Sequence, residues 1–160
     1  MFIADTENGR ILVIRESSSD AITCNCNPTH LALSPNEAVL YYTCESNALQ
    51  RIDLTSVSQV AIDELSNIRA ITPGINGDTS LYFVTSVGIC DGSPVIGTIS
   101  DQFQIERVCV GDVLSNPSDI FTDDDGNIIV VDIDAGFHKY TSSMVPITQL
   151  PFVAGESPLK

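Results

Sequence analysis

The sequence repeats one plan at a spacing of about 40 residues, and this repetition limits the folds that the chain can adopt. The segment NPTHLALSPNEAVLYYTCESNALQRIDLTS (27–56) aligns with NPSDIFTDDDGNIIVVDIDAGFHKYTSS (116–143), and residues 66–100 follow the same order of apolar runs and turns. The opening MFIADTENGRILVIRES matches only the second half of the plan. A unit of this size cannot bury its apolar face alone, so the repeats are predicted to stack on one another.

Each complete unit supplies four segments with the composition of β-strands. A short apolar strand is followed by a polar turn and then by a β-branched and aromatic run: VLYYT, LYFVT or IIVVDI. Apolar periodicity near 3.6 residues is weak throughout, which argues against helices. We therefore predict an all-β fold with propeller blades of four antiparallel strands, about 15 strands in total. The predicted single domain spans 1–160, with a partial blade at 1–26 and complete blades at 27–65, 66–111 and 116–155.

The acidic stretch Asp123-Asp124-Asp125-Gly126-Asn127 could be a calcium loop or a hairpin turn. An EF-hand loop counted from Asp123 needs a glycine at its sixth position and a glutamate at its twelfth. Those positions hold Ile128 and Asp134. The stretch also falls where the other units place SPNEA and NGDT, so a turn between the first and second strands of a blade is predicted.

Three segments carry a family resemblance: FIADTENGRILVI, NPSDIFTDDDGNIIVVD and ITQLPFVAGES. In phase, they resemble the NHL-repeat and gluconolactonase-like class of six-bladed β-propellers. The resemblance implies that the chain forms part of a larger ring, because residues 1–26 offer only the second, third and fourth strands of a blade. The final ESPLK is too short to supply the missing inner strand. Closure by the rest of a longer chain, closure by another chain, and an unusual four-blade unit all remain open.

The charge balance narrows the choice of partners. The chain has 21 acidic residues against 7 lysines and arginines, a net charge of −14. Such a field repels nucleic acid and anionic membranes. No run approaches the roughly 20 apolar residues of a spanning helix, and the first residues lack the features of a signal peptide. The predicted partners are therefore other proteins, or neighbouring subunits or domains, without nucleic acid and without membrane insertion.

Five cysteines fall near one edge of the predicted blades: Cys24, Cys26, Cys44, Cys90 and Cys109. This placement predicts a Cys90–Cys109 disulfide, and a second one joining Cys44 to Cys26 or Cys24. One cysteine is left over, either free or paired outside this segment. Disulfides of this kind indicate an oxidising location, which is the extracellular space, the cell surface or the secretory pathway.

The resemblance also implies a candidate metal site. Gluconolactonase-like enzymes hold calcium or another divalent ion in the central channel on asparagine and acidic side chains. Asn27, Asn67 and Asn116 recur at the entry to each complete blade, with Asp112 and Glu64 as possible carboxylate partners. The alternative is that each asparagine simply forms a turn.

Two functions follow, and no catalytic residue is assigned. His30 precedes an inner strand and could face the channel, whereas His138 lies on a third strand. Neither histidine has a serine or cysteine nucleophile motif beside it. The favoured prediction is a non-catalytic extracellular propeller that acts as a protein-interaction or structural scaffold module. The alternative is a calcium-dependent lactonase or esterase of the gluconolactonase-like class.

Overall fold

The computed structural model describes residues 1–46, 48–62, 65–75, 81–87, 91–100, 104–110 and 113–150, with only the backbone at 148–150. The described part is all-β, as predicted, with one short 3-10 turn at Thr6–Asn8. Fifteen strands form in chain order. They are β1 Phe2–Asp5, β2 Arg10–Ile14, β3 Ser19–Thr23, β4 Pro28–Leu33, β5 Val39–Cys44, β6 Leu49–Asp53, β7 Gln59–Ala61, β8 Ile68–Pro73, β9 Leu81–Thr85, β10 Val95–Ile99, β11 Ile105–Cys109, β12 Pro117–Thr122, β13 Ile128–Asp132, β14 Gly136–Tyr140 and β15 Pro146–Leu150.

The strands form four antiparallel sheets, each a simple meander. We call them the first blade (β1–β3), the second (β4–β7), the third (β8–β11) and the fourth (β12–β15). The inner strands β4, β8 and β12 pack against one another in sequence, and β1 packs against β4. No helix in the described ranges is long and apolar enough to cross a membrane.

The middle strands β5 and β9 are apolar along most of their length because both of their faces are covered, with a threonine near the end of each strand. On β5, Leu40 and Tyr42 pack toward the first blade with Ile11. Tyr41, between them in sequence, belongs to the cluster that joins the second and third blades with Phe83. Successive side chains of a strand point to opposite faces, so a strand between two neighbours needs apolar residues at every position. The runs VLYYT and LYFVT are thereby explained.

Gly97 on β10 makes room for one of these aromatic rings. A Cβ at this position would overlap the Phe83 ring and the carbonyl oxygen of Glu106. The absence of a side chain lets Phe83 lie flat against the neighbouring strand of its own sheet, where it is fully buried.

The inner strand of each complete blade carries a register shift at the same place. In each case one extra residue of the inner strand faces the middle strand, which is the definition of a β-bulge. The shifts lie between Pro28 and Leu31, between Ile68 and Ala70, and between Pro117 and Asp119. The repeat is therefore one of backbone geometry as well as of sequence.

The turn at residues 123–127 joins β12 to β13. The Asp123 carboxylate accepts hydrogen bonds from the backbone N–H groups of Asp125 and Asn127, and Gly126 has a φ of +82°. Lys139 Nζ lies 2.7 Å from the same carboxylate. The hydrogen bond from Lys139 lowers the pKa of Asp123 to about 2. Hydrogen bonds from Asn127 also lower this pKa, whereas desolvation opposes the shift. The predicted turn is present, and its aspartate is used in closing it.

Cys26 and Cys44 form a disulfide with their Cα atoms 5.7 Å apart, and it ties the entry of β4 to the end of β5. Cys24 is a free, half-buried thiol. Burial raises the pKa of Cys24 despite its hydrogen bond with Tyr42, which keeps the thiol protonated and unreactive. Cys109 is also disulfide-bonded. Cys90, its predicted partner, lies outside the described residues.

Removal of the Cys26–Cys44 disulfide should lower the free energy of unfolding by about 3 kcal/mol, because the bond closes a loop of 18 residues. Urea unfolding of the double variant Cys26→Ala/Cys44→Ala measures this loss. Cys24→Ala is the matched control and should cost less than about 1 kcal/mol, since that side chain is only half-buried. Equal losses in the two proteins would contradict the stabilising role assigned to the disulfide.

Candidate functional site

A cavity of about 340 Å³ lies where the inner strands of the three complete blades begin, and we call it the axial pocket. The second blade contributes residues of β4 and of the loop after β5. The third contributes one residue of β8, and the fourth contributes the start of β12 and the loop after β13. The lining residues are Thr29, His30, Glu45, Arg69, Asn116, Pro117, Ser118 and Ile133.

The repeated bulges explain which side chains reach the pocket. Thr29 and His30 lie within the bulge of β4, Arg69 lies within that of β8, and Ser118 within that of β12. A bulge interrupts the strict alternation of faces, so a residue there can be turned out of the packed interface between blades. All three bulges supply pocket-lining residues.

The second-blade wall is organised around Thr43. Its Oγ1 lies 2.7 Å from Thr29 Oγ1, and it accepts a hydrogen bond of 3.1 Å from the backbone N–H of His30. The same oxygen is 3.3 Å from His30 Nδ1. These contacts hold His30 by one ring nitrogen and by its backbone. His30 thus lines the pocket, in agreement with its predicted position facing the channel.

The fourth-blade wall is organised around Asp132, whose residue is fully buried. Its carboxylate accepts hydrogen bonds from the backbone N–H groups of Ser115, Asn116, Asp134 and Ala135 at 2.7–2.9 Å. Burial alone would raise the pKa of Asp132, but these four donors together lower it. Asp132 therefore stays ionised and fixes the backbone on which Asn116 stands.

The three predicted asparagines share a backbone role. The carbonyl oxygens of Asn27, Asn67 and Asn116 each accept a 3.0 Å hydrogen bond from the residue that follows the middle strand of the same blade. The donors are the N–H groups of Glu45, Ser86 and Ile133 respectively. Each asparagine thus closes the same connection between the inner and middle strands, as a turn former does.

The asparagine side chains do not converge. Asn116 lines the axial pocket, whereas Asn27 and Asn67 do not. The Asn27 amide donates to Glu45 Oε2 at 2.8 Å, and Asn67 is an exposed residue with a φ of +59°. Asp112 and Glu64, the predicted carboxylate partners, lie outside the described residues.

The pocket donors fit a divalent cation poorly. Hard cations bind several oxygen ligands, with carboxylates prominent among them. As far as the described residues show, the pocket lining holds one carboxylate, from Glu45, together with the positive charge of Arg69. Within the described ranges, no three His, Cys, Asp or Glu side chains are grouped so as to hold a metal ion. Calcium binding stays a prediction.

His138 lies away from the axial pocket, on β14, where it is buried. Burial lowers the pKa of His138, against the raising influence of the Asp132 charge and of a backbone hydrogen bond with Ala135. In the described part of the chain, His138 Nε2 and the Tyr140 hydroxyl have no hydrogen-bond partner. Its burial beside an ionised carboxylate makes His138 relevant to stability.

A second feature is the face of the fourth blade that points away from the third, which we call the outer face. It is formed by Phe121, Ile129, Val131, Phe137 and Lys139, which alternate with the residues packed on the third blade. Phe121 and Phe137 are 41% and 40% exposed. The outer face is thus an apolar sheet surface that is open to solvent in this chain.

Several of these residues were not singled out from sequence. Glu45, Arg69 and Ser118 line the pocket, yet no motif marks them. The signal that could have found Arg69 and Ser118 is their equivalent position in the inner strand, just after the Ser-Asn or Asn-Pro entry, whereas Glu45 directly follows the middle strand β5. That signal becomes specific only once the bulge is known.

Comparisons with known proteins identify the type of fold. No protein-family model and no curated protein sequence matches the chain. Among solved structures, a catalytically inactive virginiamycin B lyase from Staphylococcus aureus with quinupristin matches at 18% identity and a TM-score of 0.73, over 96% of this chain and 52% of its own. The dihydro-heme d1 dehydrogenase NirN matches at 13% identity and a TM-score of 0.70, over 94% of this chain and 34% of its own.

A third match is the extracellular domain of a hybrid two-component system from Bacteroides thetaiotaomicron. Its identity is 14% and its TM-score 0.67, over 99% of this chain and 22% of the matched chain. The chain thus spans about half the length of the lyase and less of the others. At these identities the matches show the fold, a partial β-propeller. Enzymes and an extracellular domain both occur among them.

Substitution of Asp132 should destabilise the fourth blade, because four backbone N–H donors around a buried carboxylate lose their acceptor. We expect Asp132→Ala to lower the free energy of unfolding by about 2–3 kcal/mol. Urea denaturation measures the change. Asp134→Ala, at an exposed neighbour, is the control and should change stability little. A neutral Asp132→Ala would show that the carboxylate does not organise this wall.

Protonation of His138 should lower the free energy of unfolding as the pH falls from about neutral. Its pKa is lowered by folding, so the unfolded chain binds the proton first. Stability is therefore expected to fall as pH drops below 6.5, the ordinary value for histidine. Asp132, whose pKa is also lowered, adds a further loss below 3.8. Unfolding free energies measured between pH 8 and pH 5 test the loss of stability assigned to His138.

His138→Phe should abolish the loss of stability between pH 8 and pH 5, since the titrating group is gone. His30→Gln leaves His138 in place and should keep the acid-dependent fall. The same pH slope in His138→Phe and in the original chain would contradict the assignment to His138.

Proposed function

We propose that this chain is a non-catalytic, extracellular β-propeller module of the NHL-repeat and gluconolactonase-like type, which works as a protein-interaction or structural scaffold. In this proposal the first and fourth blades are each covered by a neighbouring domain or subunit that completes the ring. The observation that carries the proposal is the apolar outer face of the fourth blade, which corresponds to surfaces that are buried elsewhere in the chain.

The equivalence follows from the strand register. Val131 on β13 corresponds to Val84 on β9. In its own blade, each valine comes immediately before the middle-strand residue that pairs with the first residue of the inner strand. Val84 is fully buried against the fourth blade. Val131 is only half-buried, and so is Ile129 beside it. The fourth blade thus presents the composition of an inter-blade face without the blade that such a face normally packs against.

Burial of the outer face against a neighbouring blade would be favourable in free energy. Burial of a phenylalanine side chain stabilises a protein by roughly 1.5–3 kcal/mol, so the exposed parts of Phe121 and Phe137 represent roughly 1 kcal/mol each. Half-buried Ile129 and Val131 add to that amount. An open sheet face of this kind is also a site of unwanted association unless it is covered.

The first blade supports the same conclusion from the other end. Ile3 pairs with Leu12 on the face of the blade that points away from the second blade, and Ile3 is 41% exposed. Phe2, on the opposite face, packs with the second blade. Both terminal blades therefore carry an apolar face toward solvent. The chain also covers only 52% of the lyase that it resembles, which leaves room for as many blades again.

The extracellular location is supported by the Cys26–Cys44 disulfide and by the likeness to an extracellular domain. The partner class is protein, because the matching surface must be another apolar blade face. The charge of −14 disfavours nucleic acid. The calcium-dependent hydrolase is not favoured by any set of described side chains.

The proposal predicts that the isolated chain associates through its terminal faces. Sedimentation velocity over a wide concentration range should show self-association that increases with concentration. The double variant Phe121→Lys/Val131→Lys should stay monomeric with little change in the free energy of unfolding, because these side chains are already partly in water.

Val60→Lys provides the control. Val60 is 46% exposed on β7, an outer strand that is not part of either terminal face, so its substitution should leave association unchanged. A chain that stays monomeric at every concentration, or association that persists in the double variant, would overturn the assignment of the outer face as an interface.

A further inference from the structure

Arg69 stands apart from the other cationic side chains of the chain. Six of the seven lysines and arginines lie in the described residues, and five of those six have an interaction. The five are Arg10 with Asp5, Arg15 with Asp20, Lys139 with Asp123, and Arg51 and Arg107 with other groups. Arg69 alone in that set forms neither an ion pair nor a hydrogen bond.

This isolation is informative because carboxylates are abundant. The chain carries three acidic residues for each basic one, 21 against 7, so an arginine on an ordinary surface finds a partner easily. Arg69 instead lies at the β8 bulge and lines the axial pocket. Glu45, the one carboxylate among the described lining residues, already accepts the Asn27 amide at 2.8 Å. The guanidinium fork is therefore available to a ligand.

Asn116 adds a second donor group to the same pocket. Its backbone is held from both sides, by Asp132 at 2.8 Å and by Ile133 at 3.0 Å. In the described residues its side-chain amide has no hydrogen bond. Arg69 and Asn116 thus offer N–H donors on the walls of one cavity, from two different blades. Donors without acceptors favour an anion.

The surroundings select among anions. Among the described lining residues Arg69 carries the single permanent positive charge, and Glu45 opposes a second negative charge on the ligand. The net charge of −14 disfavours polyanions further. A carboxylate matches the arginine fork with two oxygens and carries one charge. Ile133, which is 54% exposed, and Pro117 give the pocket an apolar wall for the rest of the molecule.

We propose that the axial pocket binds a small organic monocarboxylate, with the Arg69 guanidinium and the Asn116 amide on the carboxylate and Ile133 with Pro117 against its apolar body. The cavity of about 340 Å³ is large enough for a small organic molecule. This site goes beyond the proposed scaffold function, because it lies between the inner strands and not on the terminal faces.

The test is an NMR titration of the chain with sodium butyrate, which follows the side-chain signals of Arg69 Nε and Asn116 Nδ2. Sodium chloride at matched ionic strength corrects for salt effects. Both signals should shift saturably with butyrate. Acetate should bind severalfold more weakly because it has less apolar surface, and inorganic phosphate and butylammonium should bind more weakly than butyrate.

Arg69→Gln should weaken butyrate binding at least about tenfold, since a charge-assisted hydrogen bond is lost. Arg69→Lys keeps the charge without the fork and should bind with intermediate affinity. Arg15→Gln is the control at a distant arginine and should bind as the original chain does. Unchanged urea unfolding of Arg69→Gln shows that the loss is one of binding, because the Arg69 side chain is exposed.

Three results would overturn the proposal. They are the absence of a saturable shift at Asn116, equal binding by Arg69→Gln, and phosphate binding tighter than butyrate. The sedimentation result for the terminal faces does not depend on any of these, so the two proposals can fail separately.

Discussion

The stacking of apolar blade faces is the constraint on which the rest of the molecule depends. A four-stranded sheet of this size has two faces, and in the second and third blades both are buried by the neighbours. That double burial explains why β5 and β9 are apolar at every position except for the threonine near the end of each strand. It also explains why the fourth blade, whose sequence obeys the same rule, carries Phe121 and Phe137 into solvent. The apolar outer face is a direct consequence of the rule that stabilises the interior.

The second recurring device is the bulge in the inner strands. It converts the start of each inner strand from packing surface into pocket lining, and it places His30, Arg69 and Ser118 around one cavity. The walls are then fixed by hydrogen bonds that Thr43 accepts in the second blade and that the buried Asp132 accepts in the fourth. A rigid frame with varied residues at equivalent positions is how one architecture serves unrelated functions. Both enzymes and an extracellular domain have a fold similar to that of this chain.

Individual residues show where prediction from sequence succeeded and where it stopped. The cysteine pattern led to an expected disulfide at Cys44 with two partners open, and the structure pairs it with Cys26. The three asparagines do recur at equivalent places, but their common feature is the backbone carbonyl, and only Asn116 lines the pocket. The sequence did not identify Arg69 as a candidate site residue, since a single arginine between apolar residues has no local signature. Its significance comes from what surrounds it in space.

The sequence by itself determined the all-β class, the four-fold plan, the turn at residues 123–127 and the acidic character of the chain. These properties depend on local preferences and on a repeat that is visible in one dimension. The tertiary structure decided which cysteine pairs, which side chains meet at the axis, and which blade face stays open. Those outcomes depend on strand register and on the bulges, and a shift of one residue moves a side chain to the other face of a sheet. Composition and spacing do not carry that information, because the same residues could satisfy either register until the blades pack against one another.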